Sequence, residues 1–323
     1  MVLPVTPRKK ASRLRRNCHS CVAICRLRSK ESRASTGTRR NHRIVPDPAA
    51  GVIQTDEASF RALLEKITRD RGFRCASYKD KCLRRRIAVR MRAKGAFRTD
   101  EYAGMLDTDP REYDRLMRSL TVNVTKFFRN WDTYSAIENK VIPVLWDRKE
   151  PELRIWSAGC SSGEEPYSIG ILMDKHARTS KAEARLETVS IVGTDIDSDC
   201  LGAAERAFYA DSALADTPAA LREKYFPRVA GLHTMLPEVR RLVSFECNDV
   251  LANQPPLEEV HLLLCRNVII YFEREAQDAL FAGFHRALAP GGFLVLGKVE
   301  SLLGDARGLF APVNARERIF RKI

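Results

Sequence analysis

The sequence predicts a small all-helical domain followed by an α/β domain built on a parallel sheet. Between residues 55 and 120 apolar side chains recur at helical spacing, and after Val141 short apolar strands alternate with helices. One strand, Val260–Cys265 (VHLLLC), is apolar on both faces, as a strand covered by helices on either side must be. At 323 residues the chain is long enough for two such units and too long for one small core.

The helical unit, with its linker, occupies 51–130. Thr55 or Asp56 can cap a first helix whose Phe60, Leu63, Leu64 and Ile67 follow i, i+3, i+4, i+7. A second helix covers Lys79–Lys94 and ends at Gly95. Its narrow apolar lane is Leu83, Ile87 and Met91, with Arg86 and Arg90 on one side and Arg84 and Arg85 toward the other. Asp100–Leu106 and Pro110–Leu120 complete the unit, giving it a cationic surface. The α/β domain fills 131–323. Its strands are Leu153–Ala158, Thr188–Thr194, Arg241–Phe245, Val260–Cys265 and Phe293–Gly297, with helices over Tyr167–Lys175 and Glu273–Leu288. Such strands are joined by right-handed crossovers.

Composition narrows the function classes. The apolar fraction of 44% and charged fraction of 30% are those of a globular protein. No run approaches the ~20 apolar residues that cross a bilayer, and the N-terminus has no apolar signal core, so neither secretion nor membrane insertion is expected. The net charge of +14 invites a nucleic-acid reading, but residues 1–45 hold 13 Lys or Arg against Glu31 alone and account for +12 of it. The body is therefore nearly neutral. Residues 1–50 lack apolar periodicity and read as a disordered basic tail, either an arm attracted to nucleic acid or membrane or, the preferred reading, non-native upstream sequence. Cys18, Cys21 and Cys25 with His19 form a C-x2-C-x3-C run without a second ligand pair, and no metal is expected there. Nine cysteines, an odd number, read as reduced thiols of a cytoplasmic protein.

In open parallel sheets, ligands bind at the carboxyl ends of the strands. The first strand runs into Ala158-Gly159-Cys160-Ser161-Ser162-Gly163-Glu164-Glu165. Two glycines allow close backbone approach, but two carboxylates stand where a phosphate would sit, and neither a Walker A nor a G-x-G-x-x-G spacing is present. The second strand ends at Asp195, which can accept from both hydroxyls of a ribose. The next two strand ends are Asp249-Val250 and Cys265-Arg266-Asn267. Acidic groups after strands one and two fit S-adenosylmethionine, a ribose-bearing sulfonium without phosphates. A structural turn is the plain alternative.

Four blocks carry a family resemblance: Leu120–Asn130 (LTVNVTKFFRN), Arg154–Ser168 (RIWSAGCSSGEEPYS), Gly193–Asp197 (GTDID) and Cys265–Phe272 (CRNVIIYF). On them, the sequence resembles the CheR-type chemotaxis receptor methyltransferases over nearly residues 55–310. The resemblance implies a helical N-terminal domain joined to a Rossmann-like S-adenosylmethionine-dependent methyltransferase domain with a small inserted subdomain, here about 218–243. By motif position it places Asn123, Thr125 and Arg129 over the methionine part of the cofactor. Glu165 meets its amino or nearby polar groups, Asp195 its ribose, and Asp249 and Val250 its adenine. Arg266, Asn267 and Tyr271 complete the pocket. Asp249 replaces the Asn of some members, and Lys298-Val299-Glu300 replaces a His-Ser-Glu common in enteric-type members.

The implied reaction moves a methyl group in line from a sulfonium to a glutamate carboxylate. A carboxyl of pKa near 4.3 is already ionised at neutral pH, so no general base is needed. Arg129 and Tyr271 are the expected catalytic residues, Arg129 because its planar donor fork can orient a carboxylate; pairing with the cofactor's own carboxylate is its plain alternative. Arg84, Arg85, Arg86 and Arg90 are the expected contacts to the acid-rich methylation helices of chemoreceptors. Members of that family that bind a receptor-tail pentapeptide carry a longer Gly-x-Gly-containing hairpin loop in the inserted subdomain; here Tyr225–Val243 is short with one glycine, Gly231, so the resemblance implies no such tether, and the protein is read as a monomer. A nucleic-acid methyltransferase would carry an Asn/Asp-Pro-Pro-Tyr motif or a Pro-Cys nucleophile, and neither occurs. A non-catalytic binding module would not need Arg129, Glu165, Asp195 and Tyr271 intact.

Overall fold

The computed structural model describes residues 56–323, so the tail and the Cys18, Cys21, Cys25 and His19 group lie outside the described residues. The helical domain follows its sequence pattern. Helix α1 (Glu57–Arg71) starts where Asp56 accepts from the Ala58 and Ser59 amides and stops at Gly72, whose φ of 67° is left-handed. Helix α2 (Asp80–Lys94) stops at Gly95, φ 70°. Helices α3 (Thr99–Thr108) and α4 (Pro110–Thr121) follow, the latter capped by Asp109. Phe60, Leu63, Ile67, Leu83, Ile87 and Met91 meet Tyr102, Leu106, Leu116 and Leu120 in one core. Inside that core lies a charge. Glu112, 0% exposed, accepts from Arg90 Nε at 3.0 Å and Nη2 at 2.6 Å, and from the Tyr102 hydroxyl at 2.8 Å.

Beyond the linker, α5 (Trp131–Ala136) runs through a π-helical stretch, Ile137–Val141, into Ile142–Trp146. The main sheet then forms from β1 (Leu153–Ala158), β2 (Val189–Asp195), β6 (Val243–Cys247), β7 (Val260–Cys265), β8 (Leu288–Leu296), β9 (Phe310–Asn314) and β10 (Ile319–Lys322). Their order is β6-β2-β1-β7-β8-β10-β9. The first five are parallel and β10 is antiparallel to both neighbours. Strand order reverses between β1 and β7, which opens the crevice where such sheets bind ligands. Helix α6 (Glu164–Thr179) leads from β1 to β2 and is buried over most of its length. Helices α7 (Ser198–Arg206) and α8 (Arg274–Ala287) follow β2 and precede β8. The parallel sheet was legible in the sequence; the antiparallel β9–β10 hairpin makes it mixed.

A second, three-stranded antiparallel sheet is inserted between β2 and β6, in the order β3-β5-β4: β3 (Phe208–Tyr209), β4 (Arg228–Val229) and β5 (Leu232–Thr234). Its first strand begins ten residues before the expected stretch at 218. Ala230 (φ 50°) and Gly231 (φ 82°) join β4 to β5 in a two-residue turn of positive φ, which matches the strand twist. Cys75, Cys82, Cys160, Cys200 and Cys265 are free thiols. Among the described residues no helix is long and apolar enough to cross a membrane.

Candidate functional site

The linker is anchored at its aromatics. Val122 (φ 51°), Phe128 (φ 53°) and Asn130 (φ 65°) are left-handed without being glycine, a conformation that costs of order 1–3 kcal/mol each and persists only where packing enforces it. Phe127 and Phe128 supply that packing, both fully buried. Phe127 lies edge-on to Tyr209 at 4.7 Å and Phe226 at 4.6 Å, and its amide donates to the Ala213 carbonyl. Phe128 lies against Tyr134 at 5.3 Å, and its amide donates to Ser168 Oγ at 3.1 Å. Arg129 follows directly, half-buried, its Nη1 donating to the Val124 carbonyl at 2.9 Å. Asn123 Nδ2 donates to Asp197 Oδ2 at 2.7 Å, and the Thr125 side chain faces the Glu164 carboxyl, which it pulls down against burial.

The strand ends close the other side. Gly159 and Gly163 are left-handed (φ 77° and 90°), and a Cβ on Gly159 would lie 2.5 Å from Val268 Cγ2. Only glycine fits there. Asp195, 7% exposed, accepts from the Ser161 amide at 2.8 Å and the Asp197 amide at 2.9 Å. Burial pushes its carboxyl up to about 6. Burial also raises Glu164, Glu165 and Asp249. Glu165 accepts from Ser157 Oγ at 2.8 Å and from Arg266 Nη1 at 3.3 Å. Arg266, 2% exposed at its side chain, also donates to the Arg129 carbonyl at 2.7 Å, the Asn130 side chain and the Tyr134 hydroxyl. It ties the linker to the strand ends. Asn267 is left-handed (φ 62°), and Val250 follows Asp249 half-buried.

Ser161 Oγ and Asn267 Oδ1, at the ends of β1 and β7, are buried without a hydrogen-bond partner. Buried polar atoms are rarely left so, and these two flank the switch point. Together with four buried carboxylates raised by desolvation, they form an acceptor-rich cradle. It fits a cationic ligand with hydroxyl and amine donors.

The four arginines of α2 separate. Arg84 pairs with Asp80 at 2.5 Å and Glu57 at 2.7 Å, Arg85 is exposed, and Arg90 is committed to Glu112. Arg86 donates to the Ser119 carbonyl at 2.8 Å, and its guanidinium lies 5.5 Å from the centre of the Tyr271 ring. The structure thus joins Arg86 and Tyr271, which the sequence kept apart. Asp197 and Glu300 stand inside sequence blocks already named, but their roles emerge only in the fold. Asp197 caps α7, and its Asp-Ser-Asp setting is a cap signature that could have revealed it. Glu300, 3% exposed, accepts from the amides of Gly297, Asn267, Ile269 and Ile270 and so shapes the loop that carries Tyr271. The Lys298-Val299-Glu300 block contains it without showing which amides it would meet. Among the described residues no group of three or more His, Cys, Asp or Glu could hold a metal.

A glycine turn after β1, an acid after β2 and this sheet order define a Rossmann-like S-adenosylmethionine-dependent methyltransferase domain behind an all-helical one. Residues 123–319 match the family model described as CheR methyltransferase, SAM binding domain, and residues 58–121 match its all-alpha domain. The chain belongs to the CheR methyltransferase family. It is 31% identical over 258 residues to the chemotaxis protein methyltransferase of Listeria monocytogenes, covering 80% of this chain and 95% of that one. It is 32% identical over 249 residues to chemotaxis protein methyltransferase 2 of Pseudomonas aeruginosa, covering 76% and 86%. It is also 33% identical over 249 residues to an uncharacterized 104.1 kDa protein of Rhodobacter capsulatus; that match covers 76% of this chain and only 26% of the larger protein.

Proposed function

We propose that the chain methylates glutamate side chains on the cytoplasmic methylation helices of chemoreceptors, giving glutamate methyl esters and S-adenosylhomocysteine. One observation carries the reading: Arg86, on the cationic helix, lies over Tyr271 at the end of the CRNVIIY loop, 5.5 Å away. A helix that attracts acidic residues is thereby joined to the mouth of the cofactor pocket. S-adenosylmethionine supplies the electrophilic methyl group on its sulfonium.

Asp195 accepts from the ribose hydroxyls, and Asp249 and Val250 meet the adenine. Asn123, Thr125 and Glu165 line the methionine end, where Asn267 offers its unpartnered Oδ1. Arg266 contributes by holding Glu165 and the linker in place. The substrate glutamate arrives ionised, so the chain needs to orient it and exclude water rather than take a proton. Arg129 grips one carboxylate oxygen with its fork while Tyr271 borders the other side. Arg85 and Arg86 steer the acidic helix, Arg84 adds to the field, and Arg90 acts through Glu112 on the domain itself. The two-residue β4–β5 turn supports an enzyme that works without a receptor-tail pentapeptide.

The test is methyl transfer from labelled S-adenosylmethionine to a receptor cytoplasmic fragment, with nucleic acid as a control. Label entering the receptor as an alkali-labile ester is expected. Transfer to nucleic acid, or to neither, would overturn the reading.

A further inference from the structure

Asp249 is not free at the adenine end; it is held by a residue of the helical domain. The carboxylate is 4% exposed. Its Oδ1 accepts from the Leu251 amide at 2.9 Å, and its Oδ2 accepts from Arg74 Nε at 3.0 Å. Arg74 lies in the turn between α1 and α2, far from the catalytic domain in sequence. That turn is fastened to the loop of Tyr271 on both sides. Lys79 donates its amide to the Tyr271 carbonyl at 2.8 Å and its Nζ to the Ile270 carbonyl at 2.9 Å, and the Glu273 amide donates to the Ser77 carbonyl at 2.8 Å. Tyr78 stacks on Phe73 at 4.6 Å and meets Phe272 edge-on at 5.0 Å, so its ring belongs to both cores. A side chain rooted in a turn so held approaches Asp249 from a fixed position. Burial raises the Asp249 carboxyl and Arg74 pulls it back down.

We propose that Arg74 is a positioning residue of the cofactor pocket, fixing the Asp249 carboxylate so that its remaining lone pairs meet a 6-amino group and discriminate against a 6-oxo purine. This rests on the assignment of Asp249 to the adenine. Each oxygen of Asp249 is engaged once, which leaves an acceptor edge with a set direction. An amine donates to that edge, whereas a 6-oxo group opposes it oxygen to oxygen. The helical domain then does more than receive the receptor: it completes the site that chooses the cofactor.

Calorimetric titration of the full chain with S-adenosylhomocysteine and S-inosylhomocysteine tests this. Arg74→Ala is expected to weaken the amino ligand about fivefold, the scale of a half-exposed ion pair, and to leave the weaker 6-oxo ligand unchanged. In an Asp249→Asn background the same change is expected to do nothing, since Arg74 acts through that carboxylate. Unaltered affinity in Arg74→Ala, an equal loss for both ligands, or an equal loss in the Asp249→Asn background would each overturn the proposal. Should the alanine variant melt below the titration temperature, Arg74→Gln replaces it with the same outcomes. A wild-type chain that binds neither ligand would instead overturn the reading of the pocket itself.

Discussion

Arg90 separates the surface of the basic helix from its core. Glu112 is 0% exposed, and Arg90 meets it with two donors at 3.0 and 2.6 Å. Arg90→Met keeps the apolar stem but leaves that carboxylate with the Tyr102 hydroxyl and Arg115, whose nearest nitrogen is 3.9 Å away. Removing one partner of a buried pair costs about 3–5 kcal/mol. For a domain of this size each kcal/mol moves the midpoint by roughly 4–8 °C, so the helical domain should melt more than about 10 °C lower. The assay is far-ultraviolet circular dichroism on heating, with Arg85→Met as control, exposed and expected to stay within about 0.5 kcal/mol of wild type. Adding Glu112→Leu to Arg90→Met should restore most of the loss, because no unpaired charge is then buried. In the cold, where Arg90→Met is folded, receptor methylation should be near wild type. A variant with a wild-type melt and lost methylation would refute this and return Arg90 to the substrate surface.

Two further outcomes follow from the pocket. Burial holds Asp195 near 6 against an ordinary 3.8, so the folded, ligand-free chain binds a proton more tightly than the unfolded chain. The penalty of burying the charge, on the order of 3 kcal/mol at 1.36 per pK unit, is full above pH ~6 and fades as pH falls toward 3.8. Ribose hydroxyls need the unprotonated carboxylate, so S-adenosylhomocysteine affinity should fall as pH drops below about 6; titrations giving a flat profile down to about pH 5 would remove Asp195 from the ribose. Arg129→Lys should lose turnover at saturating cofactor while keeping cofactor affinity, because an ammonium cannot reproduce the fork. Full turnover with weaker cofactor binding would make Arg129 a ligand of the cofactor alone.

The sequence was most legible where a periodic pattern ended in a residue with one structural use. Helix α2 stops at Gly95 as its left-handed φ requires, and α4 starts at its Asp109-Pro110 cap. Strands buried on both faces were plain from composition, as at Val260–Cys265. Short strands were not: β3 and β4 have two residues each, too few to show a period, and they owe their existence to pairing with β5. The same limit applied to the site. Motifs pointed to Asp195, Glu165 and Arg266 as candidates, but not to Arg266 holding Glu165 and the Arg129 carbonyl at once. Arg74 and Asp249 are 175 residues apart, and no local pattern announces a pair brought together by docking of two domains.

The proposed site, where Arg86 lies over the Tyr271 ring, is read as delivering a methyl group to a carboxylate. Mass spectrometry of a receptor cytoplasmic fragment, incubated with the chain and methyl-deuterated S-adenosylmethionine, tests it most directly. Label is predicted on glutamate side chains alone, lost on mild alkali and strongly reduced by Arg86→Glu. Label on lysine, cysteine or the receptor's termini, or glutamate label indifferent to Arg86→Glu, would rule out glutamate transfer at the Arg86–Tyr271 site.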